Sequence, residues 1–176
     1  MSVPPPFRIE PFNPARHRRE EFDCGVAALN AYLKTRTRKE REAGVAVCFV
    51  AVPVSDLGCI AGFYTLSAAT ILRADLSDQK LLKKLPLYPD FPTTLLGRLA
   101  RSTTFKGQGL GDLLMISALE RAVAGSSEVA SWAIITDPKD AKATGFYAGF
   151  GFQKLSGDRM FLPMKKAVEW LKPTAP

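Results

Sequence analysis

The segment that decides the fold reads Leu95-Leu96-Gly97-Arg98-Leu99-Ala100-Arg101, then Ser102-Thr103-Thr104-Phe105, then Lys106-Gly107-Gln108-Gly109-Leu110-Gly111. Its first part is apolar and strand-like, three glycines follow at alternate positions, and a helical pattern then runs to Ala124. Glycine permits positive φ and close approach of the backbone to a ligand. The first N–H groups of a helix and its dipole favour a bound anion. The segment therefore predicts a strand, a phosphate-binding loop and a helix, with an ordinary glycine-rich turn as the alternative.

Spacing excludes two common phosphate-binding loops. A dinucleotide-binding fingerprint needs a third glycine where this chain has Asp112, and the Gly-Lys-Ser/Thr of a P-loop occurs nowhere in the chain. The pattern that remains resembles the acetyl-CoA motif of the GNAT N-acetyltransferases, Gln/Arg-x-x-Gly-x-Gly/Ala. Lys106, Gly109 and Gly111 occupy its three defined positions. The resemblance implies that the loop amides bind the pyrophosphate of acetyl-CoA and that its pantetheine arm lies along the preceding strand.

Length and composition predict one globular domain over residues 1–176, which the resemblance identifies as a GNAT domain. The chain is 47% hydrophobic, and its net charge of +7 favours an anionic partner, either a nucleic acid or a polyphosphate cofactor. The three cysteines lack metal-ligand spacing, so they predict reduced packing residues and no bound metal. No apolar run approaches the roughly 18 residues of a membrane span, which favours a cytoplasmic protein with no membrane contact. The first six residues and Lys172–Pro176 are expected to be disordered.

Hydrophobic periodicity predicts the elements before the glycine loop. They are a strand at Phe7–Glu10, a helix from about Gly25 to Glu42 with Asp23 as N-cap, a hairpin of Val45–Val52 and Cys59–Leu66, a short helix at Leu76–Leu85, a loop at Pro86–Pro92, and a strand at Leu95–Arg101.

The elements after the loop repeat the strand-to-helix order. The helix that directly follows the glycine loop is expected to bury Leu113, Leu114, Ile116, Leu119 and Val123. A strand at Trp132–Ile135, a helix at Lys139–Gly149 with Asp137 as N-cap, and closing strands around Lys154 and Met160–Met164 follow. This order predicts an α/β fold with a mixed sheet.

A second motif strengthens the resemblance. Phe146-Tyr147-Ala148-Gly149-Phe150-Gly151-Phe152 is similar to the Phe-Tyr-x-x-x-Gly-Phe signature of the same superfamily. The two motifs together imply the GNAT fold, a central mixed but mostly antiparallel twisted sheet, splayed at the acetyl-CoA site, with helices on both faces. The resemblance assigns contacts with acetyl-CoA to Leu99, Ala100, Arg101, Lys106, Gly107, Gln108, Gly109, Leu110, Gly111, Asp112 and Phe146.

A narrower resemblance covers most of the chain. It rests on Phe22-Asp23-Cys24-Gly25, Tyr32-Leu33, Cys48-Phe49-Val50-Ala51, Phe63-Tyr64-Thr65-Leu66-Ser67 and Leu96-Gly97-Arg98-Leu99-Ala100, which look like the GNAT toxins of bacterial toxin–antitoxin pairs. That family acetylates the amino group of aminoacyl-tRNA and blocks translation. The resemblance also implies a small DNA-binding antitoxin of the ribbon-helix-helix type and a homodimer. Arg101 and Ser102 depart from the apolar and acidic residues usual in the family.

The run Lys34–Glu42 contains five basic and two acidic residues. One interpretation is a solvated helix end, with cations placed favourably near the C-terminus. The other is a surface that binds the tRNA backbone through Arg36, Arg38, Lys39 and Arg41, with Arg98 assigned to the same substrate.

The residues available for catalysis also suit an α-amine as the group that attacks the thioester. Such a group titrates near pH 7.7–8.0 and is substantially neutral in the cell, so attack on a thioester needs no strong base. His17, the single histidine, lies in a Pro/Arg-rich loop and is expected to be solvated and not catalytic. Tyr147 is the predicted general acid, since its phenol can protonate the departing sulfur. The alternative for Tyr147 is an aromatic that fills the core.

Three functions remain open from the sequence. The first is an acetyltransferase toxin directed at tRNA, which uses both motifs and the basic run. The second is a GNAT that acts on a small amine or a protein N-terminus, for which acidic pocket residues are expected. The third is a non-catalytic module that binds CoA or DNA, in which Tyr147 would be dispensable.

Overall fold

The structure, a computed structural model, describes residues 6–173. Along these residues the strands and helices are β1 (Phe7–Pro11), α1 (Ala27–Thr35), α2 (Thr37–Glu42), β2 (Val47–Pro53), β3 (Gly62–Leu72), α3 (Gln79–Leu82), β4 (Asp90–Arg101), α4 (Leu110–Ser126), β5 (Ala133–Thr136), α5 (Ala141–Gly149), β6 (Gln153–Lys154), β7 (Met160–Pro163) and α6 (Met164–Leu171).

The seven strands within residues 6–173 form one sheet in the order β1-β2-β3-β4-β5-β7-β6. The β1–β2, β2–β3, β5–β7 and β6–β7 pairs are antiparallel, whereas β4 and β5 are parallel. The predicted α/β class and mixed, mostly antiparallel sheet are confirmed. The parallel ladder ends at the pair Leu96–Thr136, while β4 continues to Arg101.

The chain divides into two compact units, Met1–Ser67 with Gly97–Ala118 and Ala68–Leu96 with Leu119–Pro176. The core of the first is built around Phe12, Phe22, Leu33, Val50 and Phe63. The predicted strand Val45–Val52 is buried at Val50–Val52, whereas Val45 and Val47 are exposed. The core of the second contains Ile71, Leu76, Phe91, Ala133, Ile135 and Phe161. The assignment of residues 1–176 to a single domain stays a prediction.

The predicted helix from Gly25 to Glu42 is wrong, because two helices replace it and meet at Arg36. The hydroxyl groups on either side of Arg36 explain the break. Thr35 donates to the carbonyl oxygen of Ala31 at 2.7 Å, and buried Thr37 donates to that of Leu33 at 2.9 Å. Threonine side chains that bond to the carbonyl four residues earlier compete with the backbone and bend a helix.

Both predicted N-caps are displaced. The Asp23 carboxylate accepts from the backbone N–H of Gly25 at 2.8 Å, so it shapes the turn that precedes α1. Asp140, not Asp137, caps α5 by accepting from the N–H of Ala143 at 2.8 Å. Asp137 instead pairs with Arg159.

Other features also differ from the prediction. Strand β4 begins at Asp90, inside the predicted loop Pro86–Pro92, and the helix α6 follows β7 where only a strand was expected. In α4 Ile116 is exposed, whereas Met115 is buried. These features depend on which face a neighbouring element covers, and periodicity alone does not specify that.

The expectation of disorder before Pro6 and after Pro173 lies outside the described residues. No helix between residues 6 and 173 is both long and apolar enough to cross a membrane. Over the same range, no three His, Cys, Asp or Glu side chains gather as a metal site, and the absence of a metal stays a prediction.

Candidate functional site

The glycine loop has the backbone conformation that the sequence predicts. Gly107 has φ +81° and Gly109 has φ +73°, and a Cβ atom built at either position meets nothing within 4 Å. Glycine is therefore required for the left-handed backbone and not for space. The carbonyl oxygen of Gly109 accepts from the N–H of Leu113 at 3.1 Å, so the 17-residue helix α4 starts directly after the loop.

The loop side chains leave this backbone accessible. Lys106, Gly107, Gln108 and Gly109 are exposed. Leu110 is buried and anchors the start of α4, Gly111 is half-buried, and Asp112 is exposed in the first turn of the helix. The arrangement can bind an anion through the N–H groups at the helix start, which have no partner within a helix.

The end of β4 leads into this loop. Leu99 and Arg101 are half-buried and Ala100 is buried. Ser102 is buried; its N–H donates to the carbonyl oxygen of Ala61 at 2.7 Å, and its hydroxyl accepts from the N–H of Thr104 at 3.3 Å. Ser102, at which the chain departs from the toxin pattern, thus closes the turn after β4.

Arg98 is fixed by a side chain from β3. The backbone N–H of Arg98 donates to the hydroxyl of Thr65 at 3.1 Å. A Cβ atom at the preceding residue, Gly97, would lie 2.9 Å from that hydroxyl oxygen, so only glycine fits there without a shift. This contact holds the backbone from which the Arg98 side chain projects.

The Arg98 pocket is a cavity of about 290 Å³ in the first unit. The guanidinium carbon of Arg98 lies 3.6 Å from the centroid of the Tyr32 ring, within the range of a cation–π interaction. The Tyr32 hydroxyl donates to the Glu40 carboxylate at 2.6 Å, and burial together with Glu40 raises the pKa of this phenol, which keeps it protonated. The lining residues are Ala28, Leu29, Ala31, Tyr32, Thr35, Arg36 and Arg98.

The Arg41 groove is a separate depression of about 650 Å³. Arg41 donates to the carbonyl oxygen of Phe12 at 2.9 Å, and Arg38 pairs with Glu42 at 2.8 Å. The lining residues are Phe12, Pro14, Ala15, Arg19, Arg38, Arg41 and Glu42.

The structure therefore separates the predicted basic cluster. Arg36 joins Arg98 in one pocket, while Arg38 and Arg41 join Arg19 in the other. Lys39 is exposed on α2 and lines neither of them.

Tyr147 lies on α5 in the second unit and is 7% exposed. Burial raises the pKa of its phenol, and a hydrogen bond with the Thr136 side chain partly offsets the rise. The ring of Phe146, which is half-buried, contacts Tyr147 edge-on at 5.5 Å between centroids. A phenol that stays protonated at neutral pH can act as a general acid.

The profile of the acetyltransferase (GNAT) family matches residues 15–152. The chain belongs to the GNAT acetyltransferase family. This GNAT chain is 26% identical, over 165 residues, to the probable toxin TacT of Sinorhizobium fredii (strain NBRC 101917 / NGR234), and the match covers 89% of the chain and 90% of the relative.

Two solved toxin structures have the same fold as this GNAT chain. One is AtaT complexed with acetyl-methionyl-tRNAfMet, with 29% identity, a TM-score of 0.85, and coverage of 94% of this chain and 98% of the other. The second is a tyrosine-to-phenylalanine mutant of the AtaT toxin bound to the C-terminus of the antitoxin AtaR and acetyl-CoA. It has 25% identity, a TM-score of 0.79, and coverage of 94% and 97%.

The expectation of a solvated His17 is wrong. The residue is 3% exposed and stacks on Phe12 at 5.9 Å between centroids. Its Nδ1 accepts from the N–H of Asn13 at 2.9 Å, and its Nε2 is 2.7 Å from a Glu10 oxygen. The histidine therefore stabilises the chain after β1, and this GNAT chain uses both of its ring nitrogens there.

Sequence reasoning missed three residues at these sites. Tyr32 was recognised only as part of the toxin resemblance, and Arg19 lies on a separate element from the basic run. Thr136 ends a strand and carries no motif. Only the charge of Arg19 offered a signal, because the other two act through partners that are distant in sequence.

Proposed function

We propose that this protein is an acetyl-CoA-dependent N-acetyltransferase toxin that acetylates the α-amino group of aminoacyl-tRNA and thereby inhibits translation. The observation that carries the proposal is the similarity, over 94% of the chain, to AtaT complexed with acetyl-methionyl-tRNAfMet. Family membership supports the acetyl-transfer step, and the two arginine-lined sites support an anionic substrate.

Acetyl-CoA supplies the acetyl thioester. The left-handed glycines Gly107 and Gly109 and the start of α4 fit its pyrophosphate, because they present backbone N–H groups without a side chain in the way. Lys106 adds a positive charge beside the loop. Leu99, Ala100 and Arg101 are proposed to line the pantetheine arm, and Gln108, Leu110, Gly111, Asp112 and Phe146 complete the proposed contacts.

The tRNA contacts are assigned to the two arginine-lined sites. Arg36 and Arg98 face a pocket whose lining, among the described residues, includes no acid, which disfavours a small cationic amine as substrate. Arg38, Lys39 and Arg41 are assigned to phosphates. Arg41 also donates to the carbonyl oxygen of Phe12, so it has a structural role in addition.

The reaction requires one nucleophilic attack and one proton transfer to sulfur. The neutral α-amine attacks the acetyl carbon and forms the C–N bond. Collapse of the tetrahedral intermediate breaks the C–S bond, and the electron pair goes to sulfur. Tyr147 gives its phenolic proton to that sulfur, and the proton released by the acetylated nitrogen restores the phenol through solvent. Tyr147 acts as the general acid in this scheme.

A small DNA-binding antitoxin of the ribbon-helix-helix type is proposed to neutralise the toxin in the cytoplasm, and the toxin is proposed to be a homodimer. The AtaT mutant bound to the C-terminus of AtaR supports a partner that contributes a peptide tail. A net charge of +7 favours an acidic tail. Purification from the native host without any small acidic partner, together with normal growth on expression of the wild type alone, would contradict this part.

The decisive experiment incubates charged total tRNA with acetyl-CoA and the protein, and identifies acetylated aminoacyl adenosines by mass spectrometry. Tyr147→Phe is expected to lower turnover by about 10²–10⁴-fold, the usual effect of removing a general acid. Tyr88→Phe is the matched control, because Tyr88 is 64% exposed. Wild-type protein that acetylates small amines but no charged tRNA would refute the proposal. Equal activity of Tyr147→Phe and Tyr88→Phe would refute the role of Tyr147.

A further inference from the structure

Two arginine side chains line the Arg98 pocket without an acidic partner. Among residues 6–173, the guanidinium groups of Arg36 and Arg98 make no hydrogen bond or ion pair with the protein. Arg98 instead contacts the Tyr32 ring, with its guanidinium carbon 3.6 Å from the ring centroid. Each group has five N–H donors and a permanent charge, so both are available to an anion. A long, flexible side chain binds an anion more tightly when it is held in place before binding.

We propose that Tyr32 and Glu40 are positioning residues for the two arginines of this pocket. Their side chains form the Tyr32–Glu40 clamp, which holds Arg98 and Arg36 in the orientation that binds tRNA. This inference rests on the proposed function, in which both arginines contact tRNA.

The clamp acts on Arg98 through the Tyr32 ring. This ring is 4% exposed and stacks on Phe63, with 6.2 Å between the centroids and 15° between the planes. It is therefore fixed in the core of the first unit and gives the Arg98 guanidinium a rigid surface on which to lie. The Thr65 hydroxyl accepts from the backbone N–H of Arg98 at 3.1 Å, so both ends of the Arg98 side chain are held.

The clamp acts on Arg36 through the backbone. The Arg36 N–H donates to the carbonyl oxygen of Tyr32 at 2.9 Å, and the Arg36 carbonyl oxygen accepts from the N–H of Glu40 at 2.9 Å. The Tyr32 hydroxyl donates to the Glu40 carboxylate at 2.6 Å, so a side-chain bond joins α1 to α2 across the bend at Arg36. Together these three hydrogen bonds fix the backbone from which the Arg36 side chain projects.

The clamp also satisfies Glu40 with a neutral donor. An O–H···O⁻ distance of 2.6 Å is typical of a hydrogen bond to a charged acceptor. Among the described residues, Glu40 makes no ion pair, and it does not line the pocket. A carboxylate bonded to a neutral phenol leaves the charges of both arginines for the phosphates of a substrate.

Removing the Tyr32 ring tests the clamp, with a second ring of the same core as the control. Tyr32→Leu is expected to raise the Kd for total tRNA by about 3- to 30-fold in filter binding, the effect of losing a partly desolvated cation–π contact. Tyr32→Phe keeps the ring under Arg98 and should raise the Kd by only about 2- to 5-fold through loss of the hydrogen bond. Phe22→Leu removes a ring that is 3% exposed in the same core but does not line the pocket, so it should leave the Kd unchanged.

Kinetics and denaturation separate positioning from general stability. In acetylation of charged tRNA, Tyr32→Leu should raise the KM for tRNA by a similar factor and leave the KM for acetyl-CoA within about twofold of wild type. Urea denaturation is expected to show comparable losses of stability for Tyr32→Leu and Phe22→Leu, since both remove a buried ring. If the Tyr32→Leu protein does not fold, Tyr32→Phe replaces it in every comparison.

A double-mutant cycle assigns the effect to the arginines. In a background with both Arg36→Ala and Arg98→Ala, Tyr32→Leu is expected to change the Kd for tRNA by less than about twofold, because the groups on which it acts are absent. An equal rise in both backgrounds, an equal rise for Phe22→Leu, or an unchanged Kd for a folded Tyr32→Leu protein would overturn the inference. Wild-type protein that binds tRNA but acetylates no charged tRNA would refute the proposed function instead, while the binding measurements still decide the role of the clamp.

Discussion

Replacing Gly109 by alanine tests whether the glycine loop is needed for its backbone shape. Gly109 has φ +73°, and a Cβ atom at this position meets nothing within 4 Å, so the substitution adds strain without a clash. A left-handed conformation costs a residue with a side chain about 1–2 kcal/mol. If the loop relaxes to a negative φ, we expect the affinity for acetyl-CoA to fall by about 5- to 30-fold, the equivalent of that energy.

Gly125→Ala, within α4, is the matched control. Gly125 also has open space around a Cβ atom, but its φ is not positive. Alanine in a helix is more stable than glycine by about 0.5–1 kcal/mol, so this variant should be slightly stabilised and bind acetyl-CoA normally.

For both variants, isothermal titration calorimetry measures the affinity for acetyl-CoA, and urea denaturation measures the free energy of unfolding. If the loop keeps its shape, Gly109→Ala should instead lower the free energy of unfolding by about 1–2 kcal/mol. A Gly109→Ala protein with both unchanged affinity and unchanged stability would refute the requirement for a left-handed residue. Equal losses of affinity for Gly109→Ala and Gly125→Ala would show that the effect is not specific to the loop.

Three further substitutions test other parts of the structure. Replacing Arg36, Arg38 and Lys39 by alanine should weaken tRNA binding and reduce its salt dependence by about one unit of slope per lost phosphate contact, with the Kd for acetyl-CoA unchanged; filter binding over a range of salt concentrations measures this. Tyr32→Phe should lower the free energy of unfolding by about 1.5 kcal/mol in urea denaturation, since it removes the hydrogen bond to Glu40 but keeps the ring under Arg98. Burial raises the pKa of Glu10, but hydrogen bonds from His17 and Arg8 and the charge of Arg16 bring it below its ordinary 4.5. Its stabilising effect is therefore present above pH 4.5 and is lost as the pH falls through the folded pKa, so the stability difference between wild type and Glu10→Gln should shrink in denaturation experiments below pH 4.5.

The sequence was sufficient to predict those parts of the structure that depend on the local backbone conformation. Gly107 and Gly109 adopt the predicted positive φ because few other residues do so readily. The continuous apolar run Val45–Val52 predicted a strand, and β2 is buried at Val50–Val52. The order of elements then specified the α/β class. The burial of His17 was not predictable in this way, since its partners Glu10 and Asn13 become neighbours only when the chain folds.

The basic run shows why the rest of the site could not be predicted. On one continuous helix, the spacing predicts Arg38 and Arg41 on one side, with Arg36 and Lys39 nearby. Two threonine hydroxyls bend the chain at Arg36, so this arginine lines the Arg98 pocket while Arg38 and Arg41 line the Arg41 groove. Glu40 holds Tyr32, and the Tyr32 ring lies under Arg98, although no one of these three residues is unusual in sequence. A phosphate loop is encoded by adjacent residues, whereas the Arg98 pocket depends on packing among α1, α2 and β4. Removing a hydroxyl group or an aromatic ring from this pocket should therefore change tRNA binding and leave acetyl-CoA binding intact.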